Sequence, residues 1–263
     1  MATLFASIDP LYVLSGFGVG MLVGQTGVGG GALMTPLLVL LFGIHPATAV
    51  GTDLLYAAAT KTVGTLVHGA HGTVDWRITG RLAAGSIPAT LVMLVLMSRF
   101  NLLDTGTTQL FSAGLGGALM ITGVALLLRK RILAMAGGWT SGLGETRTLL
   151  ATMAAGAVLG VLVSVSSVGA GAIGMTVLIL LYPRHRLVTI VGSDIAHAVP
   201  LTLLAGLGHW MVGSVDWLLL FALLCGSVPG IIVGSMLSAR IPEWVLRPVL
   251  AVTLLGVGLR LVL

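Results

Sequence analysis

The sequence predicts an all-α, polytopic membrane protein with eight apolar segments in two homologous four-segment halves, and three observations carry that prediction. Hydrophobic residues fill 57% of the 263 positions, while Asp, Glu, Lys and Arg together fill 8%, against about 25% charged residues in an ordinary soluble domain. Apolar runs such as 201–207 and 217–224 recur along the chain, with most Arg, His and Asp residues in the short stretches between them. A bilayer is the solvent that such a pattern suits. The third observation is internal: the chain matches itself at an offset of 140 residues near the start of each half and 141 farther on.

Helices rather than a barrel follow from the length of the runs. Barrel strands alternate over about ten residues, whereas these segments are uniformly apolar over about twenty, the length of one helical crossing. With 38 glycines and only 5% aromatic residues, the composition fits helices packed closely through small side chains.

The repeat is specific in order and spacing. Gly24-Gln-Thr-Gly-Val-Gly-Gly-Gly-Ala-Leu33 lies over Ser164-Val-Ser-Ser-Val-Gly-Ala-Gly-Ala-Ile173, and Gly51-Thr-Asp53 over Gly192-Ser-Asp194. His68 falls on His209, Gly72-Thr-Val-Asp-Trp76 on Gly213-Ser-Val-Asp-Trp217, and Gly85-Ser-Ile-Pro88 on Gly226-Ser-Val-Pro229. The apolar segments cover about 10–43, 46–70, 77–99 and 107–129, then 149–182, 186–211, 217–239 and 243–262. The expected organisation is therefore a first transmembrane repeat over 1–130, a basic linker over 131–148 and a second repeat over 149–263.

The first segment of each half is too long for one crossing. About 34 helical residues reach about 50 Å, against a hydrocarbon core of about 30 Å. Each carries a glycine cluster near its middle, at Gly27–Gly31 and Gly169–Gly171, so a broken or re-entrant first segment is expected. Loop charge favours entry and exit on one face. Arg77, Arg81, the linker group, Arg184, Arg186, Arg240 and Arg247 then share one side, leaving mainly Arg99 and Arg260 opposite, as the positive-inside rule requires. Three net crossings per half make the second half an inverted copy of the first. Equivalent loops carry opposite bias to match, since Arg77 and Arg81 have Leu218 and Ala222 as counterparts.

Other features narrow the function. The net charge of +5 comes from basic residues scattered at segment ends, which reads as topology and not as nucleic-acid binding. The single cysteine, Cys225, allows neither an internal disulfide nor a cysteine metal cluster, and no His, Asp or Glu spacing suggests a metal site. No cleavable leader is evident at residues 1–10, so the first segment is expected to be retained.

Candidate site residues come from the polar positions inside apolar segments. A chain leaving helical geometry within a membrane exposes backbone N–H groups that suit an anion. Gln25, Thr26, Gly27, Gly29 and Gly30 in one half, with Ser166, Ser167, Gly169 and Gly171 in the other, are the expected substrate-binding set, together with Ser164. Tight packing through small residues is the alternative reading of the same glycines. Asp53 and Asp194 are repeat-equivalent carboxylates within membrane segments, where they serve proton coupling or cap an interrupted helix. Lys61 lies eight residues after Asp53, about 80° away around the helix and about 12 Å along it, too far for a local ion pair. It either pairs across the helix interface, snorkels to water or attracts the anion. Its counterpart is Thr202, so its role is asymmetric. His197 stands three residues after Asp194 and three before Pro200, placed for a proton relay or a structural bond. His68 and His209 read as hydrogen-bonded histidines near segment ends; His45, His71 and His185 read as loop residues. Asp75 and Asp216, each followed by Trp, are expected to cap helices at the lipid interface.

At these residues the sequence resembles the TauE/SafE sulfite exporter family, also called the four-toluene-sulfonate uptake permease family. The resemblance spans nearly the whole chain and rests on Gly27-Val-Gly-Gly-Gly-Ala-Leu33 with Pro36, on Gly51-Thr-Asp-Leu54, and on weaker second copies at Val168–Ile173 and Gly192–Ile195. It implies a multi-pass secondary transporter in the bacterial cytoplasmic membrane that moves sulfite, an organosulfonate or another small sulfur-containing or organic anion. Coupling to protons and a homo-oligomer remain open, and no cofactor is implied. The second half departs from the first at Ala170 for Gly30 and Thr176 for Pro36, so the two breaks need not contribute equally. The rivals are an anion channel, a membrane-embedded enzyme and an assembly factor. An enzyme would need a nucleophile and base, or a metal set, facing one cavity, and this chain offers only dispersed serines and histidines.

Overall fold

A computed structural model describes residues 9–26, 31–100, 108–140, 144–169, 171–236 and 243–263, with side chains not described at 24–26, at 31–32 and at several helix ends. Among these residues there are ten helices and no strand. The first half holds α1 (Pro10–Thr26), α2 (Gly31–Leu40), α3 (Pro46–Ala70), α4 (Trp76–Arg99) and α5 (Thr108–Thr140); the second holds α6 (Glu145–Ser166), α7 (Ala172–Leu181), α8 (Leu187–Met211), α9 (Trp217–Met236) and α10 (Glu243–Val262). By length and composition α4, α6, α8 and the 111–135 part of α5 can each cross a membrane. Large apolar side chains such as Leu14, Leu66, Val92, Leu150 and Val252 face outward, as lipid contact demands.

Local chemistry sets the helix starts. Pro46 occupies the first turn of α3, where its missing N–H costs nothing. Asp75 caps α4 by accepting from the N–H groups of Arg77 (2.9 Å) and Ile78 (3.2 Å), and Asp216 accepts from Leu219 N (3.0 Å). Trp76 and Trp217, expected as interfacial anchors, are both exposed.

The overlong segments fold back on themselves. In the second half the Thr152 hydroxyl on α6 meets the Tyr182 hydroxyl just past α7 at 2.9 Å, and Leu159 packs beside Gly174. That register makes α6 and α7 an antiparallel hairpin whose tip, Ser167–Gly169, is buried. The same closure recurs in the first half, where the rings of Tyr12 and Phe42, equivalent to Thr152 and Tyr182, stack edge-on at 4.7 Å. The basic stretch 131–148, read as a linker, is helical to Thr140 and again from Glu145.

The halves interlock. Helix α1 packs along α9 and α6 along α4, in both cases running parallel. Gly16 and Gly20 lie on Leu223 and Ser227, while Gly226 and Gly230 lie on Val13 and Phe17. Gly156 and Gly160 likewise lie on Leu82 and Ser86, with Gly85 on Met153. A Cβ at any of these glycines would collide with partner backbone, so small residues four apart are what bring these helices into contact. Equivalent helices run antiparallel to each other where they touch. On α3 and α8, Gly51 meets His209, Leu55 meets Gly206 and Gly64 meets Ile195; on α5 and α10, Gly116 meets Gly258 and Gly123 meets Leu255.

Candidate functional site

The crossing of α3 and α8 carries more of the described buried polar side chains than any other helix pair, and the hairpin tip of the second half reaches it. Asp53, Lys61, Asp194 and His197 are all at most 5% exposed. Their helices are held at this depth by two reciprocal ties. The Thr52 hydroxyl accepts from Asp216 N at 3.1 Å, and the Ser193 hydroxyl accepts from Asp75 N at 2.8 Å. Each half thereby fastens the cap of the other half's fourth helix, directly beside its own membrane aspartate.

The two aspartates differ in their surroundings. Asp53 Oδ2 accepts a hydrogen bond from the Thr35 hydroxyl of α2, and the Ser167 hydroxyl of the opposite half stands beside the same carboxylate. Asp194 has no hydrogen bond among the described residues. Its Oδ1 is buried without a partner and rests where a Cβ on Gly174 of α7 would fall. Met175 occupies the position equivalent to Thr35, and Gly27 the position equivalent to Ser167, so neither hydroxyl has a counterpart. Neither aspartate caps an interrupted helix end among the described residues. Both lie instead against the early turns of the returning helices α2 and α7, where the helix dipole favours negative charge.

Lys61 forms no contact ion pair among the described residues. Its ammonium is coupled through space first to Asp194 and then to Asp53. The antiparallel register explains the order, since Gly64 opposite Ile195 places Lys61 about one turn from Asp194. His197 shares its Nε2 with the Ser86 hydroxyl of α4 at 2.8 Å and leaves Nδ1 without a partner among the described residues. Its repeat counterpart is Tyr56, whose buried hydroxyl stands next to Ser227, the counterpart of Ser86.

At the second hairpin tip, Ser167 takes φ +58° and Gly169 φ +121°, and the latter is a left-handed conformation that glycine tolerates and other residues strain to adopt. Ser166 closes the turn by accepting from Val168 N at 3.2 Å, while its hydroxyl donates back into α6 to Leu162 O at 2.8 Å. Ser164 spends its hydroxyl on Gly160 O, while its carbonyl bonds His209 Nε2 at 2.9 Å. His209, in the last turn of α8, is thus fully buried against the end of a broken helix. His68, its twin, is more exposed and bonds the Thr73 hydroxyl at 2.8 Å.

The sequence-predicted set is therefore gathered in part. Ser166, Ser167, Gly169 and Gly171 are buried at the second tip, Ser167 adjoins Asp53, and Lys61 faces Asp194 and His197. Gly27, Gly29 and Gly30, and the side chains of Gln25 and Thr26, lie outside the described residues. Thr35, Tyr56 and Ser86 were missed as site residues. Tyr56 and Ser86 stand in alignment with His197 and Ser227, so reading the repeat column by column would have found them. Thr35 has an apolar counterpart, and only its contact reveals it. Among the described residues no group of three or more His, Cys, Asp or Glu side chains stands together.

On one side of the bundle Arg81 bonds Glu145 at 3.0 Å and the Tyr182 hydroxyl at 3.3 Å, and His185 lies 3.4 Å from Asp75. The base of the second hairpin and the start of α4 thus share a polar face.

Residues 12–261 match the family model described as Sulfite exporter TauE/SafE. The chain belongs to the TauE/SafE family. It is 37% identical over 253 residues to the probable membrane transporter protein YjnA of Bacillus subtilis strain 168, covering 95% of this chain and 98% of that one. It is 28% identical to the probable membrane transporter protein YdhB of the same organism, over 95% and 99% of the two chains. A probable membrane transporter protein of Xylella fastidiosa strain 9a5c is 28% identical, over 89% and 87%. No solved structure gives a significant match. This TauE/SafE chain is accordingly a multi-pass membrane transporter and not an enzyme.

Proposed function

We propose that this TauE/SafE protein is a secondary transporter that carries a small sulfur-containing anion, sulfite or an organosulfonate, through a site between two inverted halves. The observation that carries the proposal is a buried lysine, Lys61, without a contact ion pair among the described residues and placed where α3, α8 and a broken hairpin converge. A buried ammonium needs a compensating anion, and Lys61 has carboxylates near it but not on it.

Inversion is supported by the helix directions. Equivalent helices that pack antiparallel are related by an axis perpendicular to their length, and for helices spanning a bilayer that axis lies in the membrane plane. Loop charge supports the same arrangement, with the Arg81, Glu145 and His185 face as the cytoplasmic one. The family's designation as sulfite exporters supports the substrate class, and the buried carboxylates beside Lys61 support proton coupling.

Flux into proteoliposomes tests the reading. Radiolabelled sulfite, sulfoacetate and a panel of sulfonates should show saturable uptake by at least one member, lost by more than about tenfold in Lys61→Met. Full activity of Lys61→Met, or no flux of any small anion, overturns it.

A further inference from the structure

The two membrane aspartates look alike in the sequence, and their surroundings divide the labour between them. We propose that Asp194, and not its repeat twin Asp53, is the carboxylate that takes up a proton when the anion reaches Lys61. This rests on the transport reading above and assigns its coupling step.

The argument begins with what each carboxylate touches. Asp53 is anchored by the Thr35 hydroxyl, a donor that stabilises the ionised form wherever the substrate is, while its Oδ1, like that of Asp194, is buried without a partner among the described residues. Asp194 has no such donor among the described residues: its stabilisation there comes from the ammonium of Lys61 and the first turn of α7. Those are the positive features that an incoming anion would use. An anion drawn to Lys61 removes the compensation for Asp194, and a buried carboxylate stripped of both hydrogen bonds and counter-charge is costly. Binding a proton removes that cost, so one proton enters with the anion and leaves when Lys61 is free to face Asp194 again.

Other groups around Asp194 do not replace it. From α3 come Lys61, Asp53 and His68, the last packed against Gly192. On α8 itself His197 is tied to Ser86 of α4, and His209 to Ser164 of α6. Arg129 of α5 reaches Met175, one residue beyond Gly174, and is directed at the thioether. Helix α7 offers no titratable side chain among Ala172–Leu181.

The test uses the full-length protein in proteoliposomes with radiolabelled sulfoacetate, whose sulfonate stays charged where sulfite would titrate. Uptake is measured with and without a gradient of about two pH units, which can drive about 100-fold accumulation per coupled proton. The readout is the ratio of the two rates, which does not depend on how much protein is folded. Wild type and Asp53→Asn should show the same ratio, well above one, even where Asp53→Asn lowers yield; Asp194→Asn should bring it to about one, and Asp194→Glu should restore part of it. As a second readout, infrared difference spectra on adding sulfite should show a protonated-carboxyl band that Asp194→Asn removes and Asp53→Asn keeps. A pH response that survives in Asp194→Asn, or vanishes in Asp53→Asn, overturns the assignment. Wild-type protein that exchanges neither sulfite nor sulfoacetate overturns the transport reading beneath it.

Discussion

The two halves agree where they hold each other and disagree around the central crossing of α3 and α8. Glycines four apart join α1 to α9 and α4 to α6 at equivalent positions. Thr52 and Ser193 make equivalent ties to the caps of α9 and α4. Around the central crossing, however, Lys61 faces Thr202 in the alignment, Tyr56 faces His197, Thr35 faces Met175 and Ser167 faces Gly27. The difference teaches that the framework constrains both copies through backbone contact, which tolerates almost no change, whereas polar groups inside it were free to diverge into one asymmetric site.

The comparison can be broken most forcefully at the glycines. Gly85→Ala and Gly226→Ala place a methyl group on the backbone of Met153 and Val13, and each should cost about 1–3 kcal/mol or more as overpacking. Thermal melts in detergent should show a clear drop for both. Gly18→Ala and Gly80→Ala, with open space around them, should be near neutral. Equal effects at all four positions would mean that the close contacts do not hold the halves together.

Next in size is the lysine. Lys61→Met should lower anion flux more than about tenfold while Thr202→Val stays within about threefold, as measured by initial uptake rates normalised to reconstituted protein. Comparable losses would make the site symmetric after all.

The histidines give a smaller contrast. His209→Ala strands a buried carbonyl of Ser164, at a cost of about 1–3 kcal/mol. His68→Ala removes a partly exposed bond to Thr73 and should cost about 0.5–1.5 kcal/mol. The difference should appear as a larger fall in melting temperature for His209→Ala.

The reciprocal ties should respond least and most evenly. Thr52→Val and Ser193→Ala each remove an acceptor from one backbone N–H, for about 1 kcal/mol apiece. Unequal melts would show that the ties are less equivalent than their geometry.

Much of the architecture was legible in the amino-acid order because each half documents the other. The overlong segments at 10–43 and 149–182 announced a break, and the structure folds both into hairpins closed by Tyr12 with Phe42 and Thr152 with Tyr182. Capping by Asp75 was readable for a local reason: the carboxylate and the N–H groups it serves are within three residues. Lys61 and Asp194 were legible singly, as charges in apolar surroundings, but not as neighbours.

By itself the sequence determined the helical class, the duplication and the inventory of buried charge, because hydropathy, glycine spacing and capping act within one segment or repeat with it. Only the tertiary structure decided which aspartate Lys61 faces, that Thr35 anchors Asp53, and that His209 serves the broken end of α6. Those pairings join different helices, and for Lys61 and Asp194 the antiparallel register of α3 on α8, set by where small residues let backbones touch, is what fixes them.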